Sequence, residues 1–398
     1  MKIVEKKHES LHIAKKINEH QIVFIVDYIK PRVIKIGYAL RKKGYKVVLL
    51  LNEKQKNMLS KDIPFYHQVI FFHAEKTNSL YKKCLRWRPL VYHIFCEADI
   101  PDWAVYLIEK KDKIGKIIYD QYDIYRGFVT DRFDENAERE RFCLEHADGL
   151  CCRMFETQYL KQKFQYQMKK RILFFDYCWN GYQIDSFKKR ITENEKIKFV
   201  YGGRLLPSSL NDRFTGLYKI ERSGFKYITE TLQNAGGEFV IIPTRDINEK
   251  GFGFFRGLER KYSSLTITKP MKIKKLIEYE SKMDYGIDCV ELKKDMNKFY
   301  AGEDIFNYER EHQYYATNKY FDYLDAGIMP IYGRKEEKFG RYLARYGGAI
   351  YCTLEDLPSQ MDILKKNKKK NRKGAQKARE IFAMDRQIGR LIAFYHEV

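Results

Sequence analysis

Residues 21–51 constrain the rest of the chain. QIVFIVD (21–27) is an unbroken apolar run closing on Asp27. A run without polar alternation reads as a strand buried on both faces of a parallel sheet. Pro31 follows, a residue that a first helical turn accepts because its missing N–H needs no partner there. Val33, Ile34, Ile36, Gly37 and Leu40 then recur at helical spacing, Gly44 closes the helix, and KVVLLL (46–51) is a second buried strand. Strand, helix and strand within about thirty residues make a βαβ crossover.

The alternation continues. QVIFF (68–72), LVYHIF (90–95), KIIYD (116–120), DGLCCR (148–153) and RILFF (171–175) read as strands, separated by helical patterns at 77–87, 101–112, 134–146 and 155–164. Strict alternation predicts an α/β doubly wound sheet. The pattern lapses over 175–196 and restarts at IKFVYGGRL (197–205), with further strands at EFVIIPT (238–244), SLTITKP (264–270), MDYGIDCV (283–290) and GGAIYCT (347–353). This divides the chain into a Rossmann-like domain over 1–180, a linker over 181–195, a second Rossmann-like domain over 196–375 and a closing helix over 376–398. Residues 1–20 read as an amphipathic helix or a loose arm. Two such domains enclose a cleft, and ligands bind at the carboxyl ends of their strands.

The charge needs a partner. The 398 residues carry a formal net charge of +22, spread over both halves, with clusters at 41–46 (RKKGYK) and 365–379 (KKNKKKNRKGAQKAR). Nucleic acid, an anionic membrane surface and phosphorylated small molecules all fit, as does plain solubility. Zinc-finger, RNP-type and helix-turn-helix patterns are missing, so nucleic acid is not expected. No run reaches the roughly 18 apolar residues of a membrane span, and the N-terminus has no signal-peptide core. A cytoplasmic chain is expected, peripheral at the inner face of a membrane if its basic surface is used. The eight cysteines form no CxxC or CxxC…HxxxH array and read as reduced, buried small hydrophobes, with no metal expected.

One stretch, 313–332 (QYYATNKYFDYLDAGIMPIY), gathers chemistry-bearing residues. Asn318 and Lys319 open a short helix, Gly327 ends it, and an apolar strand follows across Pro330. Lys319 and Asp322, three apart, share a helical face. A helix start carrying a cation suits phosphate, and a carboxylate one turn later can take both ribose hydroxyls. An ordinary amphipathic helix with a solvated charge pair has the same spacing.

Together these segments resemble a GT-B glycosyltransferase, from about residue 21 to 396. NKYFDYLDAGIMPI is similar to the N-K-x-x-E-Y-x-A-x-G-x-P-V element of nucleotide-sugar transferases, members of family four included. DYGIDCV resembles the strand that precedes that element. IKFVYGGRL resembles the strand and glycine turn opening the nucleotide-binding domain, and NGYQIDSF (180–187) the segment at the domain junction. AMDRQIGRLIAFY resembles the closing helix that crosses back to the first domain.

The resemblance implies roles residue by residue. Asp322 stands where the family has a ribose-binding Glu. Asn318 and Lys319 face the diphosphate, and Arg204, after Gly202 and Gly203, matches the cation that neutralises the leaving group. Thr244 and Arg245, and Lys269 and Met271 beside Pro270, follow the next two strands on the donor side. Transfer would rest on electrostatic stabilisation of a departing nucleoside diphosphate, with no metal and no cofactor beyond the nucleotide-sugar co-substrate. An inverting transfer would need a general base from the first domain, with Asp123 the first choice and Glu97 or Asp120 next; His93 reads as a core histidine. Retaining family-four enzymes have a Glu eight residues before the ribose carboxylate. Tyr314 stands there and Glu311 is out of register, so both stereochemical outcomes stay open. The implied partners are a nucleotide sugar and a saccharide or glycolipid acceptor, as in bacterial surface polysaccharide synthesis. A sugar-nucleotide epimerase on the same fold and a non-enzymatic basic binding protein are the alternatives.

Overall fold

The computed structural model describes residues 17–58, 66–127, 133–153, 155–179, 196–205, 215–288 and 313–398. Its first half runs β1 (Asn18–Val26), α1 (Pro31–Lys42), β2 (Lys46–Asn52), β3 (Gln68–Phe72), α2 (Thr77–Cys84), β4 (Pro89–Cys96), α3 (Asp102–Glu109), α4 (Lys111–Ile114), β5 (Ile117–Gln121), α5 (Glu135–His146), β6 (Gly149–Cys152), α6 (Glu156–Phe164) and β7 (Lys170–Leu173). The seven strands form one sheet in the order β3-β2-β1-β4-β5-β6-β7, and every pairing is parallel. The apolar runs explain this, because strands covered by helices on both faces have no polar side to show. Ile22, Val23, Phe24, Ile25 and Val26 are all fully buried.

The second half runs β8 (Lys198–Gly203), α7 (Thr215–Asn234), β9 (Glu238–Pro243), α8 (Gly253–Lys261), β10 (Leu265–Ile267), α9 (Ile273–Glu280), β11 (Tyr285–Ile287), α10 (Asn318–Asp325), β12 (Met329–Tyr332), α11 (Lys338–Ala344), β13 (Ile350–Tyr351), α12 (Leu357–Ile381) and α13 (Met384–Glu397). Its six strands order as β10-β9-β8-β11-β12-β13, again with parallel pairings throughout. Two doubly wound α/β units result, as the alternation predicts. NGYQIDSF and the whole of the expected linker lie outside the described residues, as do Glu311 and residues 1–16.

The last helix leaves its own half. α13 lies on the first sheet's side: Lys42 Nζ donates to Asp385 Oδ2 at 3.0 Å, and the Tyr395 hydroxyl meets buried His93 Nδ1 at 2.6 Å. The chain therefore crosses between the halves twice, and the two crossings touch. Cys178 N donates to Phe382 O at 3.0 Å, and Met384 N donates to Cys178 O at 3.1 Å. The seven described cysteines are buried and free. Among the described residues no helix is long and apolar enough to cross a membrane.

Candidate functional site

In the second half the carboxyl ends of β8, β9, β10 and β11 lie along one edge, because all are parallel. The expected glycine turn is strand: Gly202 and Gly203 end β8 and pair in register with Ile242 and Pro243 of β9, and Thr244 N donates to Gly203 O at 3.1 Å, so the ends of β8 and β9 adjoin. Lys319, in the first turn of α10, reaches over this strand end. A Cβ at Gly203 would lie 2.6 Å from Lys319 Cε, so glycine is what lets the lysine stem press on the backbone. Lys319 Nζ is 3.3 Å from Asp288 Oδ1 and 5.1 Å from the centre of the Tyr201 ring. Tyr323, one turn later, accepts from Gly202 N at 3.2 Å and donates to Ile287 O at 2.9 Å. Helix and glycine strand end are thus bonded into one wall, with the α10 N-terminus and an ammonium at its rim.

The structure brings together Gly202, Gly203, Thr244, Lys319 and Asn318. Arg204 and Arg245 stand exposed on the same edge, and Lys269 is exposed on the loop after β10. Met271 on that loop packs against the core. Asn318 turns toward the first half, donating through Nδ2 to the Tyr122 hydroxyl. Asp322 also faces the first half: Lys35 of α1 comes to 3.9 Å of its Oδ1. Burial pushes the Asp322 carboxyl up to about 6, against the opposing pull of Lys35.

Across the cleft, β5 and β6 of the first half deliver a chain of alternating charges. Asp120 is 1% exposed and meets Arg32 Nη2 at 2.8 Å. Arg32 Nη1 donates to Asp176 Oδ1 at 3.0 Å. Arg153 stands 3.2 Å from the other Asp176 oxygen and donates to Asp123 Oδ1 at 2.9 Å. The three expected bases therefore sit differently. Asp120 is enclosed: burial raises its carboxyl, but the Arg32 charge and the His93 hydrogen bond overcome this and hold it below the usual carboxylate range. A carboxylate held that low is a poor proton acceptor at neutral pH, which leaves Asp120 an ion-pair role. Glu97 is half-exposed beside Lys30, and Asp123 is 44% exposed. Both stand at the cleft, Glu97 at a small recess that Tyr28, Lys30, Tyr122 and the floor residue Asp120 also line.

His93, Asp120 and Cys151 place three ligand-type atoms within 4.8 Å of one another. Arg32 already fills the role of the cation there, donating to Asp120 at 2.9 Å and to Cys151 Sγ at 3.2 Å. Burial lowers the His93 pKa, with Asp120 partly offsetting it. The neutral ring donates from Nε2 to Asp120 and accepts at Nδ1 from the Tyr395 hydroxyl, since a carboxylate can only accept.

Arg32, Arg153, Asp176 and Asp288 escape the sequence reading. Their one common signal is a charged residue within a few positions of an apolar strand's end or a helix's start, where Pro31-Arg32 looks like a surface turn and GLCCR like a strand running out.

No family model matches the sequence, and no curated protein matches it. Solved structures do match in fold. The sucrose-phosphate synthase of Thermosynechococcus elongatus superposes with a TM-score of 0.63 at 13% identity, over 94% of this chain and 99% of that one. A trehalose-6-phosphate synthase gives 0.56 at 9% identity, over 95% and 99%. The UDP-GlcNAc 2-epimerase of Neisseria meningitidis, bound to UDP-GlcNAc, gives 0.53 at 9% identity, over 94% and 99%. The chain has the GT-B fold: two Rossmann-like units facing a cleft, with the C-terminal helix crossing back to the first.

Proposed function

We propose that this chain is a metal-independent glycosyltransferase that moves a sugar from a nucleotide-diphosphate or CMP sugar to a saccharide, glycolipid or polymer acceptor. The observation that carries the reading is Lys319 pressed over the glycine end of β8, its Cε 2.6 Å from where a Gly203 Cβ would stand. A helix N-terminus, bare backbone and an ammonium converge where a parallel sheet presents its carboxyl ends, an arrangement suited to a pyrophosphate. Lys319 and Arg204 would stabilise the charge that gathers on the leaving nucleoside diphosphate. Asp322 would take the ribose hydroxyls, and Arg245, Lys269 and Met271 would line the approach of the base. Asp123 or Glu97 would accept the proton of the attacking hydroxyl if the transfer inverts. Synthesis of a bacterial surface polysaccharide or glycoconjugate, with the basic chain resting on the inner face of the membrane, is the setting this chemistry suits.

The test is a thermal shift against UDP-, GDP- and CMP-sugars. A ligand at 100 times its dissociation constant adds about 2.7 kcal/mol, a clear rise in midpoint. Lys319→Ala should weaken the active nucleotide by roughly ten- to a hundredfold, the scale of a lost charge-assisted hydrogen bond. A midpoint indifferent to every nucleotide would sink the reading. The epimerase among the fold neighbours supplies the second reading, and epimerised donor formed without an acceptor would favour it.

A further inference from the structure

One guanidinium touches both halves of the cleft. Arg153, directly after β6, is 1% exposed. Its Nη1 donates to Tyr122 O at 2.7 Å and to Asp123 Oδ1 at 2.9 Å, both in the first half. Its Nη2 donates to Ala316 O of the second half at 3.2 Å. The guanidinium plane lies 3.8 Å from the centre of the Tyr122 ring and 5.3 Å from that of Tyr315. Two further bonds bind the same segment: Phe155 N donates to Tyr314 O at 3.2 Å, and Asn318 Nδ2 donates to the Tyr122 hydroxyl. The stretch 314–318 feeds directly into α10, so three contacts to the first half fix where that helix begins. At this helix start the buried Thr317 Oγ1 and Asn318 Oδ1 have no hydrogen-bond partner among the described residues.

We propose that Arg153 and Tyr122 are positioning residues, a clamp by which the first half sets the first turn of α10, and with it Lys319, at a fixed distance from Asp123. The part that concerns the donor rests on the glycosyltransferase reading; the clamp itself does not. Within its own half Arg153 makes two hydrogen bonds, to Tyr122 O and Asp123 Oδ1, and an ion pair with Asp176. The third hydrogen bond goes to a backbone carbonyl, which reports where the segment lies and not which side chain it carries. A planar fork can hold three acceptors at once, which a lysine ammonium on a flexible stem cannot do in the same geometry.

Amide hydrogen exchange on the full chain, without nucleotide, tests the clamp. Arg153→Lys keeps the charge and loses the fork. Tyr122→Phe keeps the stacked ring and removes a single hydroxyl, so it guards against a variant that fails to fold. In both, exchange over 314–320 should quicken about tenfold while β1, β2 and β4 stay protected. Calorimetry with UDP and GDP forms the second arm. Affinity for whichever binds should fall about tenfold in Arg153→Lys, an effect that a role confined to the first half would not produce. Unchanged exchange over 314–320 in both variants overturns the clamp, whatever the nucleotides do. Unchanged nucleotide affinity in a variant whose exchange has quickened overturns the link to Lys319. Quickened exchange in a protein whose wild type binds neither nucleotide supports the clamp and counts against a nucleoside-diphosphate donor instead.

Discussion

Gly202 and Gly203 are adjacent glycines with opposite neighbours. A Cβ at Gly203 would meet Lys319 Cε at 2.6 Å, on a flexible stem, and the hydroxyl of the buried Tyr201 ring at 2.8 Å. At Gly202 it would meet Glu280 Oε1 at 2.4 Å, an oxygen of a carboxyl that is 1% exposed. Gly203→Ala should therefore bind nucleotide about tenfold more weakly, because Lys319 must move, and should lose less stability than Gly202→Ala, because the lysine stem can swing aside. Gly202→Ala should lose about 1–3 kcal/mol of stability, the usual penalty of forcing an extra carbon into a close-packed interior. Denaturant melts and calorimetry on the two variants separate these outcomes, and equal stability losses would refute the distinction. The run Gly-Gly-Arg was readable from sequence because glycines closing an apolar strand are a local signal, although they end the strand rather than turn it. Asp288 and Arg153 were not, because what defines them is a partner far along the chain, and periodicity carries no information about that.

Among the elements, α13 shows most directly what its side chains hold together. Ile388, Leu391, Phe394 and Tyr395 are buried, and Tyr395 closes the relay to His93 and Asp120. Tyr395→Phe would leave a buried imidazole nitrogen without its partner, which should lower stability by about 1–3 kcal/mol; an urea melt indistinguishable from wild type would refute that. The strands were legible because burial on both faces demands unbroken apolar runs, and the helix opening at Asn318 and closing before Gly327 was legible from its punctuation. Gly327 indeed takes the left-handed φ of +72°. The length of α12 was not. The helix runs through Gly374, where a Cβ would stand 3.0 Å from Gly347 O. The glycine marks a close approach of two backbones, which only the folded neighbour reveals.

At the scale of the whole molecule, buried acids set the response to pH. Burial pushes the carboxyls of Glu140 and Asp325 up to about 7 and that of Glu156 up to about 8. Each has a folded value above its unfolded one, so the folded state holds protons that the unfolded chain releases. Their contribution is complete below about pH 4 and is lost as pH rises through 7 to 8. Asp120, held low, acts in the opposite sense and loses its contribution only in acid. The melting temperature should accordingly fall between pH 5 and pH 9, and Glu156→Gln should flatten that fall by an amount on the order of 3–4 kcal/mol at pH 9. A variant that tracks the wild type across this range would refute the assignment. The two crossings of the chain, Cys178 against Ala383, carry a mechanical consequence of their own. Backbone bonds in both directions at one point work like a knot between two threads: neither crossing can shift along the other without breaking hydrogen bonds of both.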